Sequence, residues 1–537
     1  MDKQAANSNN YLDRLLRFLG QPEAYDHRPD KVDHIQTHIS HVFIAPPYVY
    51  KLKKPVDFGF LDYSTLPKRK KYCRREVELN RRLTDDVYLG VKAITEQDGK
   101  FVIREKEQER GTPIEYAVKM KKLPEEYFLH TYLEDDTLTK QHLDRVADKL
   151  ADFYNRQQPD DDISKWGTIE KIKVNTDENF SQTESFIGDT LAENAFEAIR
   201  YFTNQYFDRR ADLFERRIAE KRIIDGHGDL HLEHIHITPE KVQIYDCIEF
   251  NDRFRYGDLA VDLAFLAMDL DFNGRWHQER YFIDQMAEKL DDPELPEIID
   301  FYKCYRAYVK GKVKSLQSTE EEVPEADRIQ AADTAARYFD LSLRYALLGS
   351  EATMLVFMGR VGTGKSTLAR HIKKKLNIER YSSDSIRKTM AGVPLDRRTP
   401  APERDEVYSA QMSEETYRRL LESARSCLEQ GESVILDATF NSRASRSRLV
   451  QLANDVGCRL LFVEARASDE VIRGRLQDRE QQEGVVSDAR LEDFDKLDER
   501  YQPPEEIEAD GFIGVNTERA VDQTLGELYR GLIDRQF

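Results

Sequence analysis

Gly359-Arg-Val-Gly-Thr-Gly-Lys-Ser366 fits the phosphate-loop spacing G-x-x-x-x-G-K-[ST] at every fixed position. Each residue type in it has a physical task. Gly359, Gly362 and Gly364 let successive backbone N–H groups, with those of Thr363 and Thr367, turn inward around phosphate oxygens. Lys365 reaches the β- and γ-phosphates, and Ser366 offers its hydroxyl to Mg²⁺. A helix opening at this point aims the positive end of its dipole at the anion. The flanks agree, because Met354–Met358 is a short apolar run suited to a buried parallel strand and Thr367–Lys375 reads as helix. The stretch predicts an ATP or GTP site with Mg²⁺.

Downstream of the loop the same grammar repeats. Tyr381-Ser-Ser-Asp384-Ser-Ile-Arg387 falls where a second strand should end, and Val434-Ile-Leu-Asp437 is an apolar strand closed by an aspartate. Leu460–Glu464 is a third strand. Strands alternating with helices predict an α/β domain with a parallel sheet, whose ligands gather at the strands' C-terminal ends. Asp384 and Asp437 both lie at that edge, Asp437 as a metal ligand. Arg473, Arg475 and Arg479 follow on one segment, where a lid could neutralise a transferring phosphate. Ordinary surface helix charge is the competing reading of these arginines.

The 537-residue chain is too long for one core, and 40% hydrophobic with 34% charged residues describes a globular protein. No apolar run approaches the roughly 18 residues of a membrane span, and Met1–Asn10 is polar, without the core of a signal peptide. Five dispersed cysteines imply reduced thiols and a cytoplasmic location. A net charge of −19 opposes non-specific binding to nucleic acid.

Upstream, Leu12, Leu15, Leu16 and Leu19 mark a short amphipathic helix. Strands are expected at 39–45 and 48–53, joined at Pro46-Pro47, then a helix over 68–83 and strands at 91–95, 101–104 and 116–121. After Pro124 the pattern turns helical, with Thr137 or Thr139 as a cap. Asp225-Gly-His-Gly-Asp229-Leu-His231-Leu-Glu-His234 follows, then a β-branched strand pair ending at Asp246. A carboxylate in a glycine-flanked turn, with another at a strand end beyond it, suits phosphoryl transfer: one orients a hydroxyl and the other holds Mg²⁺.

His227-Gly-Asp-Leu-His231, Asp246 and Gly257-Asp258-Leu-Ala-Val-Asp262 together resemble the aminoglycoside phosphotransferase and choline kinase superfamily. The resemblance implies an α+β, protein-kinase-like two-lobe fold, with Asp229 as catalytic base and Asp246 as metal ligand. It also implies Lys51 as the phosphate-orienting lysine and Glu76 as its ion-pair partner, with Lys53 on the same strand face as a rival. Two positions depart from the family. His234 stands where an asparagine usually provides a second Mg²⁺ ligand, and the hairpin expected over the phosphates carries Pro46-Pro47 and no glycine. The C-terminal part resembles phosphate-loop kinases of small molecules or polynucleotide 5′-hydroxyls, which implies that Asp384 activates the acceptor hydroxyl and that Arg475 and Arg479 contact the nucleotide.

The expected organisation is a helical extension at 1–26, a phosphotransferase-like domain at 27–349 and a phosphate-loop domain at 350–537. The whole resembles bacterial fusions of these two kinds of domain. The expected activity is transfer of a γ-phosphoryl group at two nucleotide sites to a hydroxyl acceptor, a small molecule before a nucleic-acid end. A nucleotide-sensing protein built on a kinase-like scaffold is the reading of a different class, and His234 is the residue that favours it.

Overall fold

A computed structural model describes the backbone of residues 2–105, 111–480 and 487–537. The chain forms two compact units, one of residues 1–175 and 211–306, the other of 176–210 and 307–537.

The first unit is built on a six-stranded antiparallel sheet. Its strands are β1 (Asp33–Gln36), β2 (Ser40–Ala45), β3 (Tyr48–Lys53), β4 (Tyr88–Gln97), β5 (Lys100–Arg104) and β6 (Pro113–Lys121), in the order β1-β2-β3-β6-β4-β5. Strand alternation sorts side chains to two faces. Phe43, Tyr50 and Leu52 pack against Leu15 and Leu19 of the helix Asp2–Leu19. That helix therefore covers one face of the sheet and belongs to its core, where the sequence reading set residues 1–26 apart as an extension. The other face receives Cys73 and Val77 of the helix Leu66–Asn80 against Tyr116, Val118 and Met120. β1 went unread in the sequence because all four of its residues are exposed, which leaves no apolar alternation to detect.

The rest of this unit is helical. Thr139 caps the helix Lys140–Asn155, its hydroxyl accepting from the His142 N–H while the His142 ring accepts from the Thr139 N–H. Two short antiparallel ribbons follow, β7 (Ile223–Asp225) with β10 (Tyr256–Asp258), and β8 (Ile235–Ile237) with β9 (Val242–Ile244). Between them they fix the segment from Asp225 to Asp246.

The second unit holds a five-stranded parallel sheet of β11 (Thr353–Met358), β12 (Glu379–Ser382), β13 (Val434–Asp437), β14 (Arg459–Arg466) and β15 (Phe512–Asn516). The order β12-β13-β11-β14-β15 puts β11 in the centre, and all six of its residues are buried. The last strand was not anticipated. Helices from earlier in the chain complete this unit: Glu193–Arg209 and Glu325–Leu348 pack on the terminal helix Val521–Asp534. The ring of Phe537 lies 5.8 Å from that of Tyr206, and Tyr201 donates to Asp534 at 2.8 Å. The grouping thus differs from a division at 349. The reason is that the apolar face of the terminal helix is covered by residues well before that position.

Among the described residues all five cysteines are free, and no helix is long and apolar enough to cross a membrane.

Candidate functional sites

In the second unit the phosphate loop joins β11 to the helix Lys365–Leu376. Gly359, Gly362 and Gly364 have φ of +133°, +79° and +92°, a region that side chains disfavour. A methyl group on Gly359 would also lie 2.7 Å from the Ala465 carbonyl oxygen. Thr363 is buried, its hydroxyl donating to the Arg360 carbonyl at 2.9 Å. Ser366 Oγ donates to Asp437 Oδ1 at 3.0 Å, which joins the two oxygen donors expected of a Mg²⁺ site. The other Asp437 oxygen accepts from Arg380. Burial pushes the Lys365 ammonium below the usual lysine range, against the pull of Asp437 and Asp384. Asp384 lies in the first turn of the helix Ser383–Ala391, with Arg387 Nη1 3.4 Å from its carboxylate.

The three arginines of the expected lid part company. Arg479 is half-buried, and burial lowers its pKa, with Arg398, Arg370 and Arg475 adding repulsion and Asp384 opposing it. These cations make an electropositive patch beside Asp384. Arg475 instead braces the loop, Nη1 donating to the Thr363 carbonyl at 3.2 Å and Nη2 to the Thr517 carbonyl at 2.5 Å. Arg473 faces away, paired with Asp495 and stacked on Phe494. Their helix, Asp469–Glu480, is tied down through Ile472 and Leu476, which pack on Val361 of the phosphate loop.

In the first unit, Lys51 and Lys53 clasp one carboxylate. Lys51 Nζ lies 3.1 Å from Glu76 Oε1 and Lys53 Nζ lies 2.7 Å from Glu76 Oε2, and Glu76 is fully buried. Their environments then diverge. Lys51 Nζ continues to Asp246 Oδ1 at 2.5 Å, while Lys53 turns inward to Glu249 and to the Tyr63 hydroxyl. Burial disfavours both ammonium charges, yet the carboxylates win and raise both above the usual lysine range. Glu249 carried no signal in the sequence reading.

Lys51 and Asp246 line a cavity of about 410 Å³ whose walls include Val42, Ile44, Val49 and Met120. Thr37, Ile39 and Ser40 also line it. The turn over the cavity is therefore the β1–β2 connection, and the Pro46-Pro47 hairpin, expected there from sequence, joins β2 to β3 instead. Missing β1 shifted that assignment by one hairpin. Asp246 holds φ of +62°, a conformation uncommon for a residue with a side chain. Its N–H donates to the Tyr88 hydroxyl at 3.2 Å. Burial alone would raise its carboxyl, but Lys51 and then His234 hold it down at about 2.

Asp229 is seated by Asp262, the end of the Gly257–Asp262 motif, and by Asp269, which carried no signal in the sequence. Asp262 accepts the His227 N–H at 2.6 Å and the Gly228 N–H at 2.8 Å. One turn pair further along the same helix, Leu259–Phe272, Asp269 accepts the Leu232 N–H at 3.1 Å. A side chain at Gly226 would put a methyl 2.3 Å from Asp262 Oδ2, so the glycine is what lets the carboxylate reach the loop. His227 accepts the Asp229 N–H at 3.2 Å and its Nε2 contacts the Tyr245 carbonyl at 2.9 Å. His234 contacts the Asp229 carbonyl through Nδ1 at 2.8 Å. Burial pushes both imidazoles down to about 4. Asp229, His231, His234 and Asp246 thus meet beside Lys51 and Glu76 within one unit.

Comparison with known proteins adds the following. Residues 354–504 match the family model of the AAA domain. A gluconokinase from Sinorhizobium meliloti is 19% identical with a TM-score of 0.24, over 34% of this chain and 93% of that one. The Mycobacterium tuberculosis APS kinase CysC, solved with AMPPNP and APS, is 20% identical with a TM-score of 0.26, over 34% of this chain and 98% of that one. Likenesses of that size carry no functional weight. The uncharacterized proteins Rv2004c of Mycobacterium tuberculosis and Mb2027c of Mycobacterium bovis are each 30% identical over 461 residues, 86% of this chain and 88% of theirs. The chain belongs to the family of these mycobacterial proteins and carries, in its C-terminal region, a phosphate-loop α/β domain on a parallel sheet.

Proposed function

We propose that the second unit is an ATP-dependent phosphotransferase acting on a hydroxyl group. The observation that carries this is the meeting of three functions at one sheet edge. The Gly359–Ser366 loop cradles phosphate, the Ser366–Asp437 oxygen pair offers a seat for Mg²⁺, and Asp384 stands among cations at the end of β12. When bound there, Mg²⁺ would neutralise charge on the β- and γ-phosphates. Asp384 takes the acceptor's proton as its oxygen bonds to the γ-phosphorus and the bond to the departing diphosphate oxygen breaks. Lys365 and Arg479 stabilise the charge that accumulates on the phosphoryl oxygens. Arg475 acts through Thr363, holding the loop in shape. A small-molecule alcohol is the favoured acceptor, and a nucleic-acid end is the second.

The first unit supports a further nucleotide site. The Lys51–Glu76–Asp246 chain beside an apolar cavity has the size and polarity that suit a nucleotide, and Asp229 is placed as a base. A sensing role is the alternative for this unit, since two imidazoles crowd its carboxylates.

The test is ATP consumption by the full chain, screened against sugars, amino alcohols, nucleosides and oligonucleotide ends, alongside Lys365→Ala. Acceptor-dependent ADP release that Lys365→Ala removes supports the assignment. Release that survives in the variant places turnover elsewhere, and ATP binding without release under any acceptor favours sensing.

A further inference from the structure

We infer that Asp229, His231 and His234, beside Asp246, form a site for a transition-series divalent cation such as Zn²⁺ or Co²⁺, in place of the Mg²⁺ that the sequence resemblance implies. This deepens the reading of the first unit as a nucleotide site, although the donor set is defined without any nucleotide.

The geometry is that of ligands around one ion. Asp229, His231 and His234 each present a donor atom, all within 4.8 Å of one another. His231 Nε2 lies 3.4 Å from Asp229 Oδ2. Two donors bound to one tetrahedral ion at about 2.1 Å stand about 3.4 Å apart. His234 turns Nδ1 toward Asp229, 3.6 Å from its Oδ2, and Nε2 toward Asp246. A carbonyl oxygen only accepts, so the Nδ1 contact to the Asp229 carbonyl at 2.8 Å assigns the hydrogen to Nδ1. The neutral ring then presents the Nε2 lone pair, 3.7 Å from Asp246 Oδ2. Imidazoles that bind metals commonly donate their second N–H to a carbonyl in this way. Asp246 Oδ1 is committed to Lys51, which leaves Oδ2 as the oxygen facing His234. A lone pair facing a carboxylate favours a cation or a doubly donating water between them.

The chemistry of the donors decides which cation. Mg²⁺ prefers six oxygens in an octahedron and keeps several waters, whereas imidazole suits Zn²⁺, Co²⁺ and their neighbours. Two imidazoles and a carboxylate match the second group. The phosphate loop, by contrast, offers Ser366 and Asp437, both oxygen donors. The two units are therefore set up for different metals.

The experiment titrates the full-length apoprotein with CoCl₂ in the absence of nucleotide and follows the visible ligand-field absorption, with MgCl₂ as competitor. The expected result is one equivalent bound with a nitrogen-ligated spectrum, resistant to a tenfold excess of Mg²⁺. His234→Asn should weaken binding at least tenfold, while ATP binding is measured separately on both proteins. Absence of the band, its survival in His234→Asn, or displacement by equimolar Mg²⁺ overturns the proposal. Should His234→Asn lose its fold by circular dichroism, zinc-edge X-ray absorption on the wild-type protein with one equivalent of Zn²⁺ decides. A shell containing two imidazoles supports the site and an oxygen-only shell overturns it. If cobalt binding fails but ATP still binds in the first unit, the nucleotide reading stands and only the metal assignment falls.

Discussion

Lys51 Nζ and Asp246 Oδ1 lie 2.5 Å apart although 195 residues separate them in the chain. The pair joins β3 to the end of the β8–β9 ribbon at the cavity, while its neighbour Lys53, two residues on, is enclosed by Glu76 and Glu249. The two lysines therefore answer differently to loss. Lys51→Met leaves Glu76 with Lys53 and leaves Asp246 partly solvated, so it should cost less stability than Lys53→Met. ATP binding in the first unit should weaken about tenfold or more, the worth of a charged hydrogen bond. Lys53→Met leaves Glu76 with Lys51 but strands the buried Glu249, and should cost about 3–5 kcal/mol. Urea unfolding and calorimetric ATP titration of both variants check this, and the reverse pattern would exchange the roles of the two residues.

Asp384→Asn should leave ATP affinity little changed and lower phosphoryl transfer by about 10²–10⁴, the usual contribution of a positioned base. Single-turnover kinetics with a productive acceptor separate the two effects. Equal losses in both would make Asp384 a binding residue.

Asp262→Ala leaves the His227 and Gly228 N–H groups buried without acceptors, at about 1–3 kcal/mol each. Asp262→Asn should cost less, because the amide oxygen still accepts. Gly226→Ala should resemble Asp262→Ala, since its methyl would lie 2.3 Å from the carboxylate oxygen and push it off the loop. Thermal melting ranks the three. If Asp262→Ala melts with the wild type, the loop around Asp229 is held by something other than this helix.

A fragment starting at residue 350 should be poorly soluble. Leu525, Leu528 and Leu532 of the terminal helix are buried, and exposing each costs about 1.5–3 kcal/mol where the covering helices are missing. Expression and melting of residues 350–537 against the full chain checks this. A fragment as stable as the intact protein would show that Glu193–Arg209 and Glu325–Leu348 contribute nothing to that fold.

In the second unit the gathering of the phosphate loop, Asp384 and Asp437 at one sheet edge was legible because its signals are local, whereas the roles of Arg473 and Arg475 depend on contacts with distant residues. A glycine-spaced loop, an apolar strand before it and carboxylates at the ends of short apolar runs each lie within a few residues of the chemistry they serve. The first site was legible only in its endpoints. Asp229, Asp246, Lys51 and Glu76 could be named, but the groups that seat them come from distant segments, as Asp262 does, or lie in the core, as Glu249 does. Asp262 and Asp269 are charged residues buried on a mostly apolar helix, and the loop folded over them, whose N–H groups they accept, explains their presence. β1 escaped because an exposed edge strand has no hydrophobic period. The makeup of the second unit escaped for a different reason: helices covering a distant partner look the same in sequence as helices covering a neighbour.

That makeup sets a clock on synthesis. Phe202 and Tyr206 leave the ribosome more than 300 residues ahead of Phe537, the residue whose ring lies 6.2 Å from the first and 5.8 Å from the second. At about 5–20 residues per second, the helix Glu193–Arg209 waits on the order of tens of seconds with an aromatic face uncovered. Through that interval the part of the face that Val521–Asp534 covers stays open, so a stop before that helix would leave it uncovered.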